Sequence, residues 1–344
     1  MQSPILVHIV TFNNEDVISK CLSAVLAQKD FTRAQNLFIH VTDNASTDKT
    51  VETVSEEFFS SVKITQNEQN IGFAAGHNHG FWLTQKLGAE FILVLNPDVA
   101  LDEIFLSEML AATQKYPEVD LFTPKILRAD KDLGPVAPSR FDATGMILTS
   151  SLRHFDRGSD QVDRGQYDQE EIVFGGTGAA LLVRVAALSK LSLQGSNYDD
   201  DALKVYPALS ENKEERLPIF DEAFFAYRED AELAWRALNL GIKTLYVPTA
   251  IAFHRRTVLS SNRTSLPQDY NLWSVRNRFL MQLVNFKLPR DSIKFLPGFV
   301  ARNLLVLIGV FTIERSSLPA LRDVKLLWRR ALERRKILLE TPHA

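Results

Sequence analysis

The first hundred residues alternate between strand-like and helix-like segments, and this alternation restricts the possible folds more than any other feature of the chain. It ends in the continuous apolar run FILVL at residues 91–95, which is typical of a strand that a parallel sheet buries on both faces. Further strand-like runs lie at residues 5–11, 37–42 and 62–66, separated by segments with helical apolar spacing. This order predicts an α/β fold with a doubly wound, mostly parallel sheet.

Polar residues follow three of these strands at the point where each strand ends. They are Thr11-Phe12-Asn13 after the first strand, Asp43-Asn44 after the second, and Asn96-Pro97-Asp98 after FILVL. Each cluster alone is an ordinary turn, because Asn, Asp and Pro all favour turns. In open α/β sheets, however, ligands bind beyond the carboxyl ends of the strands. Three such clusters at one edge therefore predict a binding site.

The composition is that of a globular protein. The 344 residues, 45% of them hydrophobic, suffice for one large domain or two smaller ones. A net charge of -3 indicates no nucleic-acid partner. The single cysteine, Cys21, excludes a disulfide framework and a cysteine-rich zinc site, which fits a cytoplasmic location. The N-terminus lacks a basic segment followed by a long apolar one, so no signal peptide is predicted.

The C-terminal region from Gln268 onward is expected to be helical, and its last part is basic. Residues 314–336 contain eight basic and three acidic residues, interleaved with Leu and Trp. This pattern fits either a membrane-surface helix or a solvated helix packed on its own domain. The preceding apolar stretch, residues 295–313, has an uncharged part of only 11 residues. A spanning helix needs about 20, so no transmembrane helix is expected.

The middle of the chain is less regular. Residues 128–171 are rich in charge, Gly and Ser and are expected to contain long loops. The polar, acidic segment 194–217 is expected to be an exposed, mobile insertion, and residues 260–267 a linker. Residues 70–80, NIGFAAGHNHG, place Gly76 and Gly80 on one helix face, which allows close approach to the sheet or to a ligand.

A pair of acids, Glu229 and Asp230, follows an aromatic-rich run in the segment FDEAFFAYRED. A carboxylate beside apolar rings is a candidate general base, because partial desolvation raises its pKa toward the working pH. The alternative is that the pair begins a solvated helix, where acids suit the first turn.

Taken together, these motifs resemble glycosyltransferase family 2, and in particular its branch of rhamnosyltransferases of cell-surface polysaccharide synthesis. The motifs are Val10-Thr11-Phe12-Asn13, Asp43-Asn44-Ala45-Ser46-Thr47-Asp48, the glycine-rich segment from Asn70, Leu95-Asn96-Pro97-Asp98, and Phe220-Asp221-Glu222 to Glu229-Asp230. The resemblance runs from about Ile5 to His254, and a weaker similarity is present at Arg276-Asn277.

The resemblance implies a GT-A fold, a Rossmann-like nucleotide-sugar-binding fold, with a helical C-terminal extension. Residues 1–257 would form the catalytic domain, with a nucleotide-sugar half at 1–100 and an acceptor half at 101–257. Residues 258–344 would form a helical region, associated with the membrane if its basic helices bind lipid. The implied reaction is inverting transfer of rhamnose or a similar sugar from a nucleotide-diphosphate donor, assisted by Mg2+ or Mn2+.

The resemblance also assigns donor-binding residues. Asp43 would accept a hydrogen bond from N3–H of the base, which uracil and thymine both offer, so UDP- and dTDP-sugars remain open. Thr11, Phe12 and Asn13 would line the base and ribose. Near the base or diphosphate the resemblance places Asn70, Gly76 and Asn78.

The metal site implied by the resemblance departs from the family's Asp-x-Asp motif, because this chain has Asn96-Pro97-Asp98. Asp98 would be the metal carboxylate, since hard cations prefer oxygen ligands. Asn96 would hydrogen-bond the donor, and His254 would complete the metal site.

On the acceptor side, Asp230 matches the family's general base and Glu229 would support it. Gly176, Thr177 and Gly178 would form the wall of the acceptor pocket, where missing side chains allow close approach. The acceptor would be a glycan or lipid-linked glycan at the inner face of the plasma membrane.

Two rival functions remain. A nucleotidyltransferase would need a glycine-rich, basic loop after the first strand, whereas residues 11–15 contain no Gly, Arg or Lys. A non-catalytic nucleotide-sugar-binding module would tolerate the loss of Asp230, and the presence of both Asp98 and Asp230 disfavours it.

Overall fold

A computed structural model describes residues 3–31, 36–193, 199–256, 268–287 and 292–340. The strands are β1 Ile5–Thr11, β2 Leu37–Asp43, β3 Lys63–Gln66, β4 Phe91–Leu95, β5 Val99–Leu101, β6 Leu121–Arg128, β7 Phe141–Ala143, β8 Met146–Leu148, β9 His154–Asp156, β10 Glu171–Val173, β11 Ala180–Arg184 and β12 Thr244–His254. The α-helices are α1 Ile18–Leu26, α2 Thr50–Glu57, α3 Gly72–Leu87, α4 Phe105–Lys115, α5 Leu188–Leu191, α6 Glu229–Asn239, α7 Gln268–Asn285, α8 Ser292–Thr312 and α9 Leu318–Glu340.

The central sheet confirms the predicted α/β class. Its strand order is β10-β12-β6-β11-β4-β1-β2-β3. In the first half, β1 pairs in parallel with β2 and β4, and β2 with β3. In the second half, β11 runs antiparallel to β4 and β6, while β6 and β12 are parallel. Every residue of β4, the FILVL run, is buried, as expected of a strand covered on both faces.

Helices cover both faces of the sheet because successive side chains of a strand point to opposite sides. Val7 and Ile9 of β1 pack in the cluster that contains the apolar face of α1, whereas Leu6 packs in the cluster that contains Phe81 of α3. Helix α3 ends at Gly88, whose φ of 64° is the left-handed conformation favoured at helix ends.

The prediction of an exposed insertion at 194–217 holds only in part for residues 199–217: Asp200, Lys204 and Lys213 are exposed, but other side chains anchor the segment. This part forms short 3-10 helices, and Ala202, Leu209 and Arg216 are buried. A cavity of about 180 Å³ lies between this segment and α9. The packing explains the difference, because apolar residues spaced among the acids anchor the segment. The predicted linker at 260–267 lies outside the described residues.

Helix α8 carries a row of exposed apolar side chains. They are Leu296, Val300, Leu304, Leu305, Ile308 and Phe311. The sequence predicts no membrane span because only residues 303–313 form an uncharged stretch. Helix α8 is longer than this stretch, with 21 residues. Its window Phe295–Thr312 is long and apolar enough to cross a membrane, and almost none of it is buried in the protein. Length and composition alone do not distinguish a spanning helix from one that lies on a surface.

Helix α9 contains most of the basic segment, and it has one face packed on the protein and one exposed face. On one face, Leu327 and Ala331 are buried, and Arg330 and Arg334 form ion pairs with the buried Asp221 at 2.6 and 3.4 Å. Its other face is exposed and includes Trp328 together with basic residues. Only this second face is accessible to a membrane.

Four histidines form a buried cluster between the sheet and α3, which the sequence patterns did not reveal. His8 Nδ1 lies 2.9 Å from His77 Nδ1. Thr42 Oγ1 lies 3.0 Å from both His8 Nε2 and His79 Nδ1, which makes a continuous hydrogen-bonded chain. The fourth ring, His40, stacks on His8.

The cluster is better suited to hydrogen bonding than to a metal ion, although His8, His40 and His79 bring ligand atoms within 4.8 Å of one another. The rings of His8 and His40 are stacked within 7° of parallel, with centroids 5.5 Å apart. An imidazole binds a metal in its own ring plane, so two stacked parallel rings do not point their lone pairs at a common position. Burial lowers the pKa of His40 and His77 to about 3, which keeps them neutral.

Acidification should therefore destabilise the fold. The unfolded histidines take up protons below about pH 6.5, while the folded ones do not, so their contribution to stability is complete above that pH and is lost as the pH falls from about 6.5 to about 3. At pH 5.5 each such histidine should cost roughly 1.4 kcal/mol. His40→Gln removes one titrating group, and urea unfolding at pH 7.5 and 5.5 should show a smaller acid loss than the wild type. Equal losses in the two proteins would contradict this account.

Candidate active site

The first part of the site lies at the ends of β1 and β2. Asp43 is buried there, and its Oδ1 accepts a hydrogen bond from Thr11 Oγ1 at 2.8 Å. Its Oδ2 accepts from the backbone N–H of Ser46, also at 2.8 Å. The parallel register places Thr11 beside Asp43, so pairing of the strands orients the carboxylate.

The loop after β1 presents an aromatic ring at the same edge. Phe12 is 48% exposed, which leaves its ring available for stacking. Asn13 has a φ of 57°, and its Oδ1 accepts from the N–H of Thr47 at 2.8 Å. The Asn13 side chain thus joins the loops that follow β1 and β2.

Residues of the glycine-rich segment make packing contacts and backbone hydrogen bonds. Gly76 faces β1, because a Cβ there would lie 2.9 Å from both methyl groups of Val10. The Asn78 amide is fully buried, donates to Phe220 O at 2.9 Å and accepts from the N–H of Ile219 and Phe220. Gly76 thus packs on the sheet and Asn78 supports the backbone, while their proximity to the base or diphosphate stays a prediction. Asn70 Oδ1 accepts from the N–H of Gly72 at 2.9 Å.

The strand end after β4 meets the end of β12. Pairing of β5 with β12 sets Val99 beside His254, and His254 Nε2 lies 3.3 Å from Asp98 Oδ1. The other ring nitrogen, Nδ1, lies 2.7 Å from Oδ2 of Asp142 on β7. Sequence reasoning missed Asp142, because it stands in an irregular region without a recognisable motif.

His254 is held as a cation between two acids. Burial opposes its charged form, but the carboxylates of Asp98 and Asp142 raise its pKa to about 10. Burial likewise opposes ionisation of Asp142, yet His254, Arg256 and Arg128 lower the pKa of Asp142 to about 2.

These residues fit a divalent cation. Two ligand atoms bound to one ion at about 2.1 Å each lie roughly 3 Å apart, close to the 3.3 Å between His254 Nε2 and Asp98 Oδ1. Metal-binding histidines commonly donate their second N–H to a carboxylate, which is the position of Asp142.

The second carboxylate of the site is Asp230, in the first turn of α6. Its Oδ2 accepts from the N–H of Gly178 at 3.0 Å and its Oδ1 from the N–H of Ala231 at 2.7 Å. The next residue in the same loop, Ala179, accepts from the N–H of Asn96 at 2.9 Å. One loop therefore contacts both Asp230 and the turn that carries Asp98. Burial raises the pKa of Asp230, although the backbone donors oppose the rise.

The glycines of the predicted acceptor wall differ in role. Gly178 lies against Asp230 and Phe73, with the nearest Phe73 carbon 3.1 Å from an added Cβ. Gly176 instead packs on β6, where a Cβ would lie 2.7 Å from that of Thr123. Thr177 Oγ1 lies between them and accepts weakly from the N–H of Ala179 at 3.4 Å.

Glu229 is buried beside Asp230. Burial, followed by the charge of Asp230, raises the pKa of Glu229 well above its ordinary value. Among the residues that the structure describes, none hydrogen-bonds its Oε2. If Glu229 is protonated, no second negative charge is buried beside that of Asp230.

Comparisons with known proteins agree with this architecture. The model of the family "Glycosyl transferase family 2" matches residues 6–188. GalNAc-T7, solved with UDP, GalNAc and Mn2+, is similar in structure, with a TM-score of 0.57, 13% identity, and coverage of 82% of this chain and 48% of that one. S. aureus TarS 1-349 in complex with UDP-GlcNAc has a TM-score of 0.55, 17% identity, and coverage of 98% and 90%.

A longer TarS structure has a TM-score of 0.52 and 17% identity, and this chain covers 52% of its length. The chain thus spans about half of GalNAc-T7 and of the longer TarS. Identities this low show the shared GT-A fold alone. The search of curated proteins gave no match.

Proposed function

Because this chain belongs to glycosyltransferase family 2, we propose that it transfers a sugar from a nucleotide-diphosphate donor to a glycan or lipid-linked acceptor with inversion. The observation that carries the proposal is the Gly178–Ala179 loop, which connects the Asp230 carboxylate to Asn96 through two backbone hydrogen bonds. A proton acceptor is thereby held near the turn expected to bind the donor. The family match favours this enzyme over a nucleotidyltransferase or a non-catalytic module.

The proposed reaction is a single displacement. The acceptor hydroxyl oxygen forms a bond to the anomeric carbon as the bond from that carbon to the diphosphate oxygen breaks. The hydroxyl proton passes to Asp230, and the nucleotide diphosphate leaves with the electron pair. Burial supports the role of Asp230 because a raised pKa makes its carboxylate a better base near neutral pH.

We propose a uridine or thymidine donor. Asp43 Oδ2 accepts one hydrogen bond, from the N–H of Ser46, and a carboxylate oxygen has capacity for a second. The N3–H of uracil or thymine supplies such a donor, and the exposed Phe12 ring is placed to stack on the base. Rhamnose as the sugar rests on the motif resemblance alone.

We propose that Asp98 and His254 hold Mg2+ or Mn2+, with Asp142 orienting His254. When bound, the ion would neutralise charge that develops on the leaving diphosphate. Asn96 contributes its backbone N–H to Ala179, and its side chain remains a candidate donor to the diphosphate sugar.

Replacing Asp230 tests the base. Asp230→Asn keeps the shape but cannot accept the proton, so kcat should fall by roughly 10²- to 10⁴-fold. Wild-type kcat should decline on acidification as Asp230, with its raised pKa, becomes protonated. The UDP- or dTDP-induced rise in Tm should be unchanged in the variant, which shows that the donor half is intact. Near-normal turnover with intact donor binding would refute the assignment.

Replacing Asp142 tests the metal site. Asp142→Asn should weaken Mn2+ binding by roughly 10- to 100-fold, because His254 loses the carboxylate that orients it. Titration calorimetry measures this directly and does not depend on activity. Asp132→Asn, which alters an exposed acid paired with Lys20, is the control. Equal affinities in all three proteins would exclude a metal site at His254.

We further propose that the protein lies on the cytoplasmic face of the plasma membrane. The exposed apolar side chains of α8 form one contact, and the exposed basic face of α9 forms a second. Two such signals together support stable peripheral binding, because the apolar part inserts while the cations are attracted to anionic lipid.

Flotation with anionic liposomes tests this surface. Leu305→Asp/Ile308→Asp should reduce recovery with the liposomes, because both side chains are exposed on α8. Phe59→Asp alters another exposed apolar residue, outside the C-terminal helices, and should float like the wild type. Point variants are preferred to truncation, since α9 carries buried residues such as Leu327. Unchanged recovery of the double variant would contradict membrane binding through α8.

A further inference from the structure

The turn that leads into Asp230 has an unusual backbone. Phe225, Tyr227 and Arg228 have φ values of 63°, 68° and 71°. Residues with a Cβ rarely adopt a positive φ, and such conformations persist only where the surroundings hold them. Glu229 follows at once as the first residue of α6. The path of this turn therefore decides where Asp230 lies.

One side chain contacts most of the turn. Asn277, fully buried on α7, places its Nδ2 at 2.9 Å from Phe224 O, 2.9 Å from Ala226 O and 2.7 Å from Tyr227 O. Two amide protons are thus shared among three carbonyl oxygens. These carbonyls flank the residues with positive φ, so the amide holds the turn at several successive positions.

The neighbouring arginine orients that amide. Arg276 Nε donates to Asn277 Oδ1 at 2.9 Å, which directs Nδ2 toward the turn. Arg276 is itself fully buried, donates to Phe224 O at 2.8 Å and contacts the hydroxyl of Tyr206. Asp323 on α9 lies 3.7 Å away and balances its charge.

The opposite side of the turn rests on α3. The N–H of Ala74 donates to Phe225 O at 3.1 Å. Gly72 permits this approach, because a Cβ at that position would lie 2.6 Å from the same oxygen. The turn is therefore enclosed between the donor half and the C-terminal helices.

We propose that Asn277, oriented by Arg276, is a positioning residue for the general base, so that the C-terminal region completes the active site. The inference rests on the proposed role of Asp230. Asn277 holds the turn, the turn sets the start of α6, and the start of α6 sets the Asp230 carboxylate at 3.0 Å from Gly178 N.

Three variants separate positioning from general stability. Asn277→Ala removes the amide, and Asn277→Asp places carboxylate oxygens against three carbonyl oxygens. Asn285→Ala is the matched control: Asn285 is an equally buried asparagine on α7 that bonds Glu232 and Met281, not the turn. If Asn277→Ala does not fold, Arg276→Lys keeps the buried charge but replaces the guanidinium, including its Nε donor to Asn277, with a single ammonium group.

We expect Asn277→Ala to lower kcat by roughly 100-fold, because a shift of about 1 Å in a catalytic group has that effect. The donor KM and the nucleotide-induced rise in Tm should stay near wild type. Asn277→Asp should be slower still. Arg276→Lys should lower kcat by roughly tenfold, as the amide is only misoriented. Asn285→Ala should lower Tm and leave kcat unchanged.

A double-mutant cycle with Asp230→Asn provides the decisive measurement. If Asn277 acts through Asp230, the double variant is no slower than Asp230→Asn alone. Multiplied losses, or a loss of kcat in Asn285→Ala equal to that in Asn277→Ala, would overturn the positioning role. Normal turnover of Asn277→Ala alongside an impaired Asp230→Asn would overturn it while leaving the general base intact. Normal turnover of Asp230→Asn would instead refute the proposed base.

Discussion

The parallel pairing of β1 with β2 and β4 is the constraint on which the site depends, because it brings three polar strand ends to one edge of the sheet. Helices bury both faces of these strands, and each Å² of apolar surface removed from water contributes about 25 cal/mol. The strands that carry these ends are therefore held by packing on both faces. Asp43 can stay buried and oriented there because Thr11 and Ser46 donate hydrogen bonds to its carboxylate.

The second half of the sheet supplies the charges that the first half lacks. With asparagine at position 96, the strand end after β4 has a single acid, Asp98. The antiparallel β5–β12 pair brings His254 to it, and β7 adds Asp142 behind the ring. Because the carboxylates stabilise the imidazolium, the proposed divalent ion would compete with the proton on Nε2 for one position, and the affinity of the proposed site for metal should increase with pH.

Much of the parallel half was predictable, since strand periodicity and polar strand ends are local signals. The four-strand alternation and the burial of FILVL were predicted correctly. Asp142 was not predicted, because its role arises from contact with His254, 112 residues away. The histidine cluster was not predicted for a similar reason, because its four side chains come from β1, β2 and α3, which are distant in sequence. Gly76 and Asn78 illustrate the converse, since a motif shows that a residue matters without showing whether it serves packing or a ligand.

The C-terminal helices connect the proposed membrane surface with the proposed base. Asp221 accepts from the N–H of Ala223 at 3.0 Å and pairs with Arg330 on α9, while Asn277 on α7 holds the following turn. The whole approach to Asp230 is thus supported from one side by these helices. Helix α8, with its exposed apolar face, lies between them in the chain. An acceptor anchored in lipid would then meet a base whose position depends on the same helical region that is proposed to contact the membrane.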